Sequence, residues 1–159
     1  MTYNYNDRKP EFIDINELTD RQRELLLESE TFCMLPWTHI HAWPTGQVYP
    51  CCLADGKHAI GNLREKTLEE LWNDEPMREL RRNMLTNTKN DTCRKCYEQE
   101  DAGFHSMRYS GNKRFGHNIN QVDNTLEPLT LSSTPPAVAS SFQCPSIQYH
   151  APVDGPEPA

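Results

Sequence analysis

The order of apolar and polar residues predicts a helix, a hairpin and two further helices along this chain. Within residues 14–29, Thr19 followed by Gln22 is a capping-box pattern, and three consecutive leucines give the predicted helix an apolar side. The preceding residues 1–13 are polar and are expected to be loose.

Residues 32–53 predict a β-hairpin. Residues 38–43 are rich in β-branched and aromatic side chains, Pro44-Thr45-Gly46 is typical of a turn, and residues 47–51 favour the return strand. Gly46 is expected to supply the positive φ angle of the turn, because glycine adopts it without steric cost. Trp37 and Trp43 are expected to shield the core.

Two short helices follow the hairpin. Thr67 and Glu70 form a second capping box, and Pro76 suits the first turn of the next helix, with Asp74 or Glu75 as its cap. The apolar stripes of these helices are expected in the core: Leu68, Leu71, Trp72, Met77, Leu80 and Met84.

Composition divides the chain into three parts. Residues 119–159 are rich in proline and serine without helical or strand periodicity, which predicts a disordered tail. Residues 32–118 form the expected folded domain, after an N-terminal segment, residues 1–31, with one short helix. Only 36% of the chain is hydrophobic, and so small a core usually needs disulfides or a metal as a staple.

Charge and targeting signals reduce the number of function classes that the sequence supports. The net charge of −7 lacks the basic footprint of a nucleic-acid binder. The chain begins without a signal-peptide pattern and has no run of apolar residues suited to a membrane, so we expect a cytoplasmic protein. In that reducing compartment its six cysteines favour metal binding over disulfides.

Four of the cysteines predict one metal site. Cys93 and Cys96 form a C-x-x-C pair, and Cys33 and Cys51 lie at the open end of the predicted hairpin, where its folding brings them together. Only one of the neighbours Cys51 and Cys52 is expected to be a ligand, since adjacent strand residues point to opposite faces, and the spacing from Gly46 favours Cys51. Cys144, in the tail, is interpreted as a free thiol.

The spacing C-x12-G-x4-C from Cys33 to Cys51, followed by Cys93-x-x-Cys96, resembles the first part of the SPASM motif. FCMLPW, GQVYPCC and GNL…LEELWN add to the resemblance, which covers about residues 32–115. SPASM and twitch domains are accessory iron–sulfur domains of radical S-adenosylmethionine (SAM) enzymes. The resemblance implies a 4Fe–4S cluster on these four cysteines, with electron transfer or substrate positioning as its role, and a radical SAM core or a peptide or protein substrate as partner.

Two departures from the family pattern shape this expectation. The cysteines that continue a full SPASM motif are absent after Cys96, where position 102 is alanine, so the pattern is similar to the single-cluster twitch form. The C-x3-C-x2-C motif of the SAM-cleaving cluster is also absent, so the chain is not expected to be catalytic alone. The change in composition near residue 122 raises the hypothesis of a truncated radical SAM protein.

Alternatives remain open on the residues alone. Four thiolates suit zinc as well as an iron–sulfur cluster, which would make the chain a zinc-stabilised protein-interaction module. His39 or His41 is an alternative ligand, although both read more simply as polar strand residues. The fold class expected in every case is α+β: a small metal-stabilised domain with a β-hairpin, two to three short helices and disordered termini.

Overall fold

A computed structural model of the chain describes residues 8–54 and 56–122. Within them, short helices and one three-stranded antiparallel sheet enclose a hydrophobic core, which confirms the predicted α+β class. Of the predicted tail, residues 119–159, the part after residue 122 lies outside the described residues, Cys144 included, whereas Ile119 and Val122 at its start are buried in the core.

The helices are α1 (Asp20–Arg23), α2 (Leu35–Thr38), α3 (Leu68–Asn73), α4 (Glu75–Leu85), α5 (Arg94–Asp101) and α6 (Met107–Phe115). A π-helical turn over Glu24–Glu28 extends α1, and 3-10 turns occupy Asp91–Cys93 and Gly116–Gln121. The strands are β1 (His41–Ala42), β2 (Gln47–Tyr49) and β3 (Gly61–Asn62). None of the described helices has the length and apolar character needed to cross a membrane.

Local capping signals start three helices where they were predicted. The Thr19 hydroxyl accepts from the Gln22 N–H and the Gln22 side chain accepts from the Thr19 N–H, so both halves of the capping box form. Thr67 and Glu70 make the same reciprocal pair before α3, and Asp74 caps α4. These bonds join residues three positions apart or fewer, which is why the sequence predicts them.

The predicted hairpin exists but is shorter than expected. Helix α2 occupies the start of the predicted first strand, β1 pairs antiparallel with β2, and Gly46 in the turn has a φ of 90°. Strand β2 lies at the centre of the sheet because β3, which the sequence did not predict, pairs with its other edge.

The core contains most of the predicted stripe residues. Met77, Leu80 and Met84 of α4 are buried, as is Leu71 of α3. Leu68 was expected in the core and is 46% exposed, since it begins α3 on the side facing solvent. Trp37 is buried as predicted, whereas Trp43 is 55% exposed at the hairpin and does not shield the core.

The expectation of a loose N-terminus is wrong for residues 8–13. Pro10 is buried, the Glu11 N–H donates to the Lys113 carbonyl at 2.7 Å, and Arg8 donates to the Tyr109 hydroxyl at 2.6 Å. These partners belong to α6, a helix that the sequence patterns did not predict.

Candidate metal centre

Three segments of the fold carry the four candidate cysteines. Cys33 lies in the extended segment before α2, and Cys51 lies in the bend after β2. Cys93 ends the 3-10 turn and is the N-cap of α5, and Cys96 lies in the first turns of that helix. The C-x-x-C pair is therefore held at the start of a helix.

The four cysteines line one cavity. Cys33 and Cys96 are buried, Cys51 and Cys93 are partly buried, and the remaining lining is mostly apolar. The other residues at this cavity are Leu35, Leu53, Thr92, Met107 and Arg108. The fold thus brings together all four residues that the sequence selected.

The surroundings of the four thiols disfavour their anions. Burial raises the pKa of all four, most clearly that of Cys33, and raises the pKa of Cys93 to about 12. Repulsion between the cysteines adds to this effect at Cys33 and Cys93. Four close thiolates need a cation among them, and a metal centre supplies one, so the donor set fits a thiolate-ligated metal group.

Backbone N–H groups face three of the sulfur atoms and partly offset the effect of burial on their pKa. The donors are the N–H groups of Leu35 to Cys33, of Leu53 and Ala54 to Cys51, and of Met107 and Arg108 to Cys96. Hydrogen bonds of this kind stabilise thiolates and adjust the potential of iron–sulfur centres. The segments therefore present the sulfurs together with donors for the charge they would carry as ligands.

The neighbours Cys51 and Cys52 have different surroundings. Cys51 lines the cavity and Cys52 is exposed. Both follow the end of β2 at Tyr49, so strand alternation, the reason given from sequence, does not apply to them. The bend after β2 turns Cys51 inward.

His39 and His41 lie away from the cysteine cavity, which neither lines. His39 is the C-cap of α2, and partial burial together with repulsion from His41 lowers its pKa. The His41 ring meets Trp43 edge-on at 5.8 Å between centroids. Their arrangement fits the interpretation as polar residues of the hairpin.

Single-ion chelation and dithiol redox chemistry find less support in this geometry. Among residues 8–54 and 56–122, no three or more His, Cys, Asp or Glu side chains are grouped to hold one metal ion between them. A redox dithiol at Cys93 and Cys96 would need a lowered thiol pKa, whereas burial raises the pKa of both.

The sequence interpretation missed Arg108, which lines the same cavity and whose guanidinium forms an ion pair with Glu100. An arginine in a polar stretch gives no local sign of burial, so no signal in this single sequence could have singled it out.

The comparisons with known proteins bear on the same residues. A family model described as SPASM, an iron–sulfur cluster-binding domain, matches residues 33–97, a range that begins at the first candidate cysteine and ends just after the last. No curated protein and no solved structure matches the chain. Over residues 33–97 the chain is therefore similar to the SPASM family of iron–sulfur cluster-binding domains.

Proposed function

We propose that the chain binds one 4Fe–4S cluster through Cys33, Cys51, Cys93 and Cys96. The observation that supports this ligand set is the convergence of the four thiols, from three separate segments, on one mostly apolar cavity. A cubane cluster takes one thiolate at each of its four irons, so the number of donors matches the number of sites.

When bound, such a cluster supplies one-electron chemistry or a fixed anchoring point. The chain's own residues hold and tune it. Leu35, Leu53 and Met107 limit water at the cavity, and the backbone N–H groups facing Cys33, Cys51 and Cys96 favour the thiolate forms.

The proposed role is accessory to radical SAM chemistry, in the single-cluster form. The 159 residues contain no C-x3-C-x2-C motif and no further cysteine between Cys96 and Cys144. We therefore assign radical generation to a radical SAM core outside these 159 residues, and electron transfer or substrate positioning to this domain. That core, or a peptide or protein substrate, is the proposed partner.

A zinc-stabilised protein-interaction module is the second candidate. The cavity that the thiols line is small, about 20 Å³, and one ion requires less room than a cubane. Against it, a single tetrahedral zinc draws its four sulfurs to about 2.3 Å from one point, and the described cysteines are not grouped for one ion.

The deciding experiment is anaerobic expression of the full chain with iron and sulfide supplied. The cluster hypothesis predicts a brown protein with visible absorption and equal amounts of iron and acid-labile sulfide, about four of each per chain. A colourless protein that contains one zinc per chain would overturn it in favour of the interaction module.

Two neighbouring cysteines provide a matched test of the ligand set. Cys51→Ala removes a thiol from the cavity and is expected to lose most of the bound iron, whereas Cys52→Ala removes an exposed thiol and should keep it. Iron and sulfide analysis of both purified variants, with the visible spectrum, measures this. Equal iron content in the two variants would contradict the assignment of Cys51.

A further inference from the structure

Helix α6 lies beyond the family match at residue 97, yet it holds the segment that carries Cys33. Asn112 of α6 accepts from the Met34 N–H at 2.8 Å through Oδ1 and donates to the Phe32 carbonyl at 3.0 Å through Nδ2. One buried amide thus bonds to the residues on both sides of Cys33.

Arg108 of α6 connects that segment to the C-x-x-C helix. Its guanidinium is 2% exposed and donates through Nη1 to the carbonyls of Ser29, at 3.0 Å, and Phe32, at 3.1 Å. Through Nε it donates to Glu100 Oε1 at 2.9 Å, and Nη2 pairs with the second carboxylate oxygen. Glu100 lies one turn after Cys96 on α5. The Arg108 side chain therefore connects the segment that carries Cys33 to the helix that carries Cys96.

The charge of Arg108 is also placed to act on the site. The residue lines the cysteine cavity, and its backbone N–H faces the Cys96 sulfur. A cubane with four thiolate ligands carries net negative charge that increases on reduction. A nearby buried cation therefore favours the reduced form, and Glu100 opposes that effect.

We propose that Arg108 is a positioning residue that also sets the reduction potential of the cluster, with Glu100 as its opposing partner. This inference rests on the proposed cluster. It extends the part of the chain that builds the cluster site beyond residues 33–97 to include α6, which supplies the site's buried positive charge.

The test is the midpoint potential of the reconstituted full-length protein, measured by dye-mediated redox titration. Arg108→Gln removes the charge, and is expected to shift the ratio of oxidised to reduced cluster at least tenfold toward the oxidised form, about 59 mV for a one-electron couple. Arg108→Lys keeps a positive charge and should recover part of the shift. Arg114→Gln, which removes an exposed arginine from the same helix, is the control and should match the wild type.

Glu100→Gln tests the same idea with the opposite sign. It leaves the Arg108 charge unopposed, so the potential should rise, and a loss of structure alone would not produce this result. If Arg108→Gln fails to hold a cluster, Glu100→Gln decides: a rise supports the inference, and no change or a fall overturns it.

Failure of the inference can be told apart from failure of the proposed function. A wild-type protein without iron and sulfide overturns both. A loaded wild type whose potential equals that of a loaded Arg108→Gln variant overturns the role of Arg108 alone.

Discussion

Gly46 shows how one residue fixes the geometry on which the site depends. Its φ of 90° lies in the left-handed region, and an added Cβ would stand 2.5 Å from Asn62 Oδ1. Asn62 cannot swing away freely, because that same oxygen accepts from the Arg64 N–H at 2.9 Å. The turn that sends β2 toward Cys51 therefore tolerates glycine far better than other residues.

Gly46→Ala is expected to destabilise the protein by about 2–4 kcal/mol, from backbone strain of about 1–2 kcal/mol plus the clash with Asn62. Gly103→Ala is the matched control, because Gly103 has a φ of 79° but open space at the Cβ position. It should cost about 1–2 kcal/mol from strain alone. Urea unfolding of the loaded variants measures both, and an equal loss would show that Asn62 makes room.

At the scale of elements, α3 presents one buried residue to the core. Leu71 is fully buried and Leu68, three positions earlier on the same helix, is 46% exposed. Both are leucines in the predicted stripe, so the pattern alone gave them equal roles. Because both residues are leucines and only their burial differs, substituting each one measures the contribution of packing alone.

Leu71→Ala is expected to lower the free energy of unfolding by about 2–5 kcal/mol, since it removes buried atoms and leaves a cavity. Leu68→Ala should change it by no more than about 0.5 kcal/mol. Denaturant midpoints of the two variants, measured under identical loading with iron and sulfide, check this. A large loss in Leu68→Ala would mean that its exposed face packs against a partner in solution.

The helices differ in how clearly an apolar pattern in the sequence predicts them. Helix α4 buries Met77, Leu80 and Met84 and is visible as an apolar stripe. Helix α6 buries Arg108, Gly111 and Asn112, so its inward face is polar or small and has no apolar period. Its position depends on hydrogen bonds to residues far back in the chain, which single-sequence patterning does not report.

At the scale of the whole molecule, the cysteine site joins three segments that lie apart in the sequence. A metal group bound there crosslinks the segment before α2, the bend after β2 and the start of α5. Because a preformed site rarely exists in an unfolded chain, the free energy of binding becomes free energy of folding.

Removing the cluster with an iron chelator under anaerobic conditions is therefore expected to lower the unfolding temperature by at least about 10 °C. Binding contributes several kcal/mol, and each kcal/mol shifts the midpoint by about 4–8 °C in a domain of this size. The same treatment of Cys51→Ala, which should hold little iron, provides the control. An unchanged unfolding temperature in the wild type would show that the fold does not depend on the metal.

The sequence by itself determined the local and chemical features. Helix starts at Thr19, Thr67 and Asp74, the turn at Gly46 and the four cysteines that line one cavity could all be predicted, because each depends on neighbouring residues or on spacing. The α+β class followed from the same patterns.

Only the tertiary structure decided which groups meet. It turned Cys51 inward and Cys52 outward through a bend after β2. It also placed Arg108 and Asn112 against a residue about 80 positions earlier, Phe32, which is distant in the sequence and adjacent in the fold. The physical reason is that burial of a polar group is stable only with partners, and those partners come from distant segments that assemble together.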